Sequence, residues 1–232
     1  MPEPSELRAA VDALDPEVRG RLAASWAQAA LDEHASVASF SRFSLHLMAV
    51  GAPPELLEGA HRAAIDEIRH ATLCFDLATV YADEPLSPGP LEMSGDVLWP
   101  LDLASVAAAA VIEGCVGETV ATLEAKEALD RAGPTPVRNA LAVIARDEAR
   151  HAALAWRFVA WALEQGEPSV EAAVRGAFAA CIDAPMGPEP AAEDDDDTLA
   201  VHGQLGARAR YRLRREAAER VVRPTMDAML QR

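Results

Sequence analysis

Apolar residues recur at helical spacing along most of this chain. From about Arg21 to Val50, Leu22, Trp26, Ala29, Val37 and Phe40 follow one another at intervals of three, four or seven residues, or close to it. Gly51 and then Pro53-Pro54 punctuate that run, as expected where one helix ends and another begins. A second helix is predicted over about 54–82. A third is predicted over about 102–132, with Asp102 as its N-cap, and a fourth over about 135–165, closed by Gly166. A polar stretch at 3–19 predicts one short helix before these. Two more are predicted after them, at about 169–182 and 198–222.

Between the second and third long helices lies DEPLSPGPLEMSGDVLWPL (83–101), with four prolines and two glycines. A connection of that length inside a compact domain normally has a topological or functional reason. The pattern is therefore two helical hairpins joined by one long crossover, a known arrangement for four-helix bundles. We read 1–232 as a single all-α domain, with a bundle core at 20–165 and a helical extension at 166–232.

Composition supports this reading. Half of the residues are apolar, enough for a sizeable core, while only 5% are aromatic. Alanine dominates the apolar half and favours helix over strand. The net charge of −16 disfavours nucleic acid and anionic membrane surfaces as general partners. Three unpaired cysteines, Cys74, Cys115 and Cys181, argue against a disulfide framework or a cysteine zinc site. Neither a secretory signal nor a transmembrane helix is expected, so a cytoplasmic protein is the default.

The polar residues that interrupt the apolar stripes carry the chemistry. The segment RAAIDEIRHATLCFDLATVYA (62–82) aligns with AVIARDEARHAALAWRFVAWA (142–162), and both contain Asp-Glu-x-Arg-His-Ala. Glu33 lies 34 residues before Glu67, and Glu113 lies 35 residues before Glu148, so one hairpin pattern is used twice. Glu67 with His70, and Glu148 with His151, sit three residues apart on one helix face. Glu33 and Glu113 are placed to complete the set from the other two helices. Each glutamate breaks the apolar stripe of its own helix. Burying four carboxylates without cations would be costly, and two divalent ions would balance their charge. The predicted metal ligands are Glu33, Glu67, His70, Glu113, Glu148 and His151. Carboxylate and imidazole donors suit two iron ions, with manganese or a mixed manganese–iron pair as the alternative.

Asp66 and Asp147 precede the ligand glutamates. They are predicted to orient the histidines of the opposite hairpin, against the plainer reading of salt bridges to Arg69 and Arg150. Candidates for a pocket beside the metals are Trp26, Val37, Phe40, Ala109, Ala110, Gly114 and Gly117, although small residues also serve close helix packing.

With these residues assembled, the chain resembles the ferritin-like di-iron carboxylate superfamily. The matching pattern is Glu33, Asp66-Glu67-x-Arg69-His70, Glu113 and Asp147-Glu148-x-Arg150-His151, across about residues 20–165. The resemblance implies a ferritin-like bundle and the reduction of oxygen or peroxide at the metals. The expectation is an oxygenase or oxidase acting on a small organic substrate with O2. Iron oxidation and storage is the runner-up, disfavoured by the C-terminal extension. The absence of a C-x-x-C pair disfavours a rubrerythrin-like peroxidase. No flavin, NAD or haem is expected, so electrons would come from an external donor. A homodimer is compatible with the sequence. The last helix carries Arg208, Arg210, Arg212, Arg214, Arg215, Arg220 and Arg223. Pairing with the acidic 193–197 run or the acidic bundle surface is favoured there over docking of a carrier protein or RNA.

Overall fold

In the computed structural model, residues 4–92, 101–183, 187–191 and 196–231 are described, and among them there is no strand. Helix α1 (Pro4–Asp12) precedes α2 (Pro16–Ala49) and α3 (Pro54–Ala82). A continuous helix follows, built of α4 (Leu103–Ala109), a π-helical segment (Ala110–Glu118) and α5 (Thr119–Arg131). Then come α6 (Thr135–Glu164), α7 (Pro168–Ile182), α8 (Asp197–Val201) and α9 (Ala207–Glu216). A second π segment (Ala217–Val222) leads from α9 into α10 (Arg223–Leu230).

Local chemistry sets these boundaries. The predicted 3–19 helix is split, because Asp15 caps α2 by accepting from the Glu17 amide at 2.8 Å and Pro16 opens the new helix. The Asp102 carboxylate accepts from the Ser105 amide at 2.9 Å and starts α4 as expected. Gly51 (φ 68°) and Gly166 (φ 72°) take the left-handed conformation that ends a helix. The predicted 198–222 helix is also divided. Gly203 turns the chain at φ 80°, where an added Cβ would lie 2.7 Å from Val137 and 3.0 Å from both Leu141 and Trp26. Of the long crossover, 93–100 lies outside the described residues, as does 193–195 of the acidic run.

α2 and α3 form one antiparallel hairpin and the α4–π–α5 helix with α6 forms the other; α3 packs on α6 to join them. The apolar core is divided into two layers. One contains Leu22, Trp26, Ala78, Tyr81, Val137 and Leu141. The other contains Phe40, Leu56, Val111, Leu154, Phe158 and Phe178. On every long helix the stretch between the layers is polar: Glu33 on α2, Glu67 and His70 on α3, Glu118 at the end of the π segment, Glu148 and His151 on α6.

The extension covers the outside of the second hairpin, with α7 on α4 and α9 on α5. The Leu103–Arg131 helix is long and apolar enough to cross a membrane, with a mean hydropathy of 1.5 over its most apolar window. That differs from the expectation of no such helix. Its apolarity matches its position, sandwiched between α6 and the extension. The C-terminal arginines pair largely with the bundle and with nearby acids. Arg210 meets Glu124 at 2.5 Å, Arg208 meets Glu189 at 2.9 Å and Arg223 meets Asp183 at 3.5 Å. The end of the acidic run, in contrast, is held by Arg21 (to Asp196, 3.0 Å) and Arg131 (to Asp197, 2.6 Å).

Candidate metal centre

Five of the six expected ligands converge between the two apolar layers. Nδ1 of His70 lies 3.4 Å from Glu33 Oε2, 3.6 Å from Glu67 Oε2 and 3.2 Å from Glu148 Oε1. Nδ1 of His151 lies 3.0 Å from Glu67 Oε1 and 3.5 Å from Glu148 Oε2. Glu67 and Glu148 therefore each turn one oxygen to each histidine. Donor atoms of Glu33, Glu67, His70 and Glu148 all fall within 4.8 Å of one another, as do those of Glu118, Glu148 and His151. Both groups have the composition and spacing to hold a metal ion.

The outward ring nitrogens are held by the aspartates. His70 Nε2 is 3.3 Å from Asp147 Oδ2, and His151 Nε2 is 3.5 Å from Asp66 Oδ2. Each aspartate thus reaches the histidine of the other hairpin, as expected. Arg150 ties the two together, at 2.8 Å from Asp66 and 2.9 Å from Asp147. The salt-bridge reading and the orienting reading both hold for Arg150. Arg69 is exposed and outside this network; Arg146, 2.8 Å from Asp147, is the second arginine in it. These contacts anchor Asp147, whose side chain is fully buried, as a carboxylate. Burial pushes its pKa up, but Arg146, His70 and Arg150 outweigh burial and hold it below its usual value.

With Nε2 donated to an aspartate, each Nδ1 faces the middle of the cluster. Although carboxylate oxygens crowd both Nδ1 atoms, neither is aligned to hydrogen bond with any of them, and Glu67 Oε2 is likewise left without a partner. Buried polar atoms are rarely orphaned. Three orphans pointing into one small space are what a cation there would satisfy. The donor chemistry and the geometry both fit a metal.

Protons take up the excess charge when no metal is bound. Burial pushes Glu33 up to about 8 and, with the nearby Glu148 carboxylate, drives Glu118 well above the carboxylate range. For the histidines burial works the other way, but the surrounding carboxylates overcome it. Glu148 and Glu33 lead in raising His70 to about 12, and Glu148 and Glu67 in raising His151 to about 9. Glu67 and Glu148 are held down by the same histidines despite burial. These shifts run together: the histidines and Glu33 and Glu118 are pushed towards their protonated forms, and Glu67 and Glu148 towards their ionised forms.

The sixth expected ligand, Glu113, is not in the cluster. Its side chain is 52% exposed and forms an ion pair with Arg42. Glu118 stands where Glu113 was expected, and the π segment is the reason. Closing i→i+5 bonds takes about one extra residue per turn, so a position seven after Val106 no longer returns to its face. A signal for Glu118 was present in the hairpin geometry. In an antiparallel pair, residues equally far from the turn stand at the same height. Glu118 lies 13 residues before the end of α5 at Arg131, and Glu148 lies 13 residues after the start of α6 at Thr135. Glu113 lies 18 before that end, too high by roughly 7 Å at 1.5 Å per residue.

Beside Glu118 and His151 a cleft of about 280 Å³ opens, lined mainly by apolar side chains. Of the expected pocket residues, Phe40, Ala109, Ala110 and Gly114 line it. Trp26 does not, lying in the opposite apolar layer with its indole nitrogen donating to the His202 carbonyl at 3.2 Å. Val37 is outside the lining, and Gly117 faces a different groove, between α5 and the extension. At Gly114 the lack of a side chain also serves close packing, because an added Cβ would collide with the Ala155 Cβ. Arg42 and Phe43, which the sequence did not single out, line the cleft as well. Compared with family models, curated proteins and solved structures, the chain matches none.

Proposed function

We propose that this chain is a ferritin-like, non-haem di-iron oxygenase or oxidase that uses O2 to oxidise a small organic substrate. The observation that carries the reading is the pair of inward Nδ1 atoms, orphaned between two carboxylates that each turn one oxygen to each histidine. Glu33 and His70 would hold one ion, Glu118 and His151 the other, with Glu67 and Glu148 shared. Oxygen-rich donors with one imidazole per ion favour iron or manganese over softer metals.

When bound, such a metal pair supplies electrons to O2. The overall reaction takes one C–H bond, O2, two external electrons and two protons to one C–OH bond and water. The chain's own residues prepare that chemistry. Asp147 and Asp66 fix the tautomer and direction of the ligating rings. Burial holds the Glu118 carboxyl well above the usual carboxylate range, so it can hold a proton where substrate arrives. Phe40, Ala110 and Leu154 keep the approach apolar and limit water. The cleft favours an organic substrate over iron storage, which needs only a path for ions.

Two measurements test this together. Protein grown with supplemented iron should carry two metal equivalents per chain, and the reduced protein should consume O2 faster once a substrate occupies the cleft. Fewer than about one equivalent, unchanged in a Glu67→Ala/Glu148→Ala variant, would sink the metal site. Two equivalents with no oxygen uptake beyond that needed to oxidise the iron would remove the oxygenase reading.

A further inference from the structure

The cleft joins an apolar body to a polar lip, where Ser39, Arg42, His46, Ser105 and Glu113 stand. Phe40, Phe43, Ala110 and Leu154 make the body of the site, and Glu118 with His151 form its inner end. Arg42, itself only partly exposed, lies in the same lining and is held there by the Glu113 carboxylate. Glu113 belongs to the same π segment as Glu118, five residues earlier. The π segment thus delivers one glutamate to the cluster and the other to an arginine at the cleft.

A guanidinium paired with a carboxylate at the edge of an apolar cleft is a ready-made carboxylate receptor. Arginine presents a planar fork of donors that suits a carboxylate, and its pairing with Glu113 shows that this fork can be reached by one. Exchanging one carboxylate for another on the same arginine leaves the Coulomb balance almost unchanged. Desolvation of the incoming molecule's apolar part then decides the outcome. On this basis, and resting on the metal-centre reading for the reaction itself, we propose that the substrate is a small apolar carboxylate. Its carboxylate replaces Glu113 on Arg42 and its hydrocarbon body lies along Phe40 and Ala110 towards Glu118 and His151. The carbon offered to the cluster is remote from the carboxylate. Five residues, a little more than one turn of the π segment, separate Glu113 from Glu118.

Octanoate and its neutral isostere octanamide are suitable probes, titrated calorimetrically into protein whose metal content is measured on the same samples. In the wild-type chain Glu113 competes for Arg42, so octanoate and octanamide should bind within a fewfold of each other. Glu113→Gln, which frees Arg42, should tighten octanoate severalfold and leave octanamide unchanged. Arg42→Gln should lower octanoate to the level of octanamide. Equal affinities for the two probes in Glu113→Gln would overturn the proposal. A preference for octanoate that survives Arg42→Gln would overturn it too, placing the carboxylate on the metal ions instead. The metal content is a separate readout. Discrimination that depends on Arg42 in protein that binds no metal defeats the metal-centre reading alone. Full metal without discrimination in Glu113→Gln defeats the carboxylate receptor alone.

Discussion

Replacing Glu118 and Glu113 by glutamine, one at a time, separates a cluster residue from its near neighbour on the same π segment. In the metal-free protein burial and the neighbouring Glu148 push the Glu118 carboxyl well above its ordinary range, towards the neutral form. Glutamine keeps its shape and charge state, so Glu118→Gln should change metal-free stability little. Metal binding is different, because a neutral amide is a poor substitute for a carboxylate donor. At a metal concentration 100 times Kd, binding stabilises the fold by about 2.7 kcal/mol. For a chain of this length that corresponds to roughly 5–10 °C in Tm. A loss of about 100-fold in affinity at one ion would erase most of that ion's increment and leave its site about half occupied, so the stoichiometry falls from two to about one and a half. Glu113→Gln breaks only a half-exposed ion pair, worth about 0–1 kcal/mol, and should leave both the stoichiometry and the metal-induced shift intact. Metal analysis by mass spectrometry and thermal melts with and without iron(II) under anaerobic conditions supply both numbers. Loss of metal from Glu113→Gln, with Glu118→Gln unaffected, would refute the assignment of Glu118.

Metal affinity should rise with pH. His70 (about 12), His151 (about 9), Glu33 (about 8) and Glu118 all keep protons at neutral pH in the metal-free cluster, and each must lose one to bind. Acid therefore weakens binding and alkali strengthens it; calorimetry in buffers of different ionisation enthalpy should report proton release approaching four per pair of ions. Asp147→Asn removes a fully buried carboxylate from the half-exposed Arg146 and Arg150 and from His70 and should cost about 1.5–3 kcal/mol in urea unfolding. An effect below 1 kcal/mol would contradict its anchoring role. Gly114→Ala forces a Cβ into collision with the Ala155 Cβ and should destabilise by about 1–3 kcal/mol. Gly117→Ala meets only a backbone oxygen at 3.5 Å and should be neutral or stabilising by up to about 1 kcal/mol, so equal melting temperatures for the two variants would refute the packing distinction.

The helices, the two hairpins and five residues of the cluster were legible in the chain itself, for local reasons. Capping by Asp15 and Asp102, the glycine stops and the prolines that open helices act within a few residues, so they can be read along one dimension. The Glu-x-x-His pairs were legible because i and i+3 share a helix face whatever lies opposite. The aspartates were legible because they repeat with those pairs. Tertiary structure put Glu118 in the place expected of Glu113. Simple 3.6-residue periodicity supposes an unbroken α-helix, whereas Ala110–Glu118 is wound wider where Gly114 meets Ala155 across the hairpin. That change of winding turns Glu113 out to Arg42 and leaves Glu118 beside Glu148. The cleft was decided at the same level, because α2, α4, the π segment and α6 each contribute part of its wall. A helix register can be inferred from its own residues; a cavity exists only where several helices fail to close the space between them.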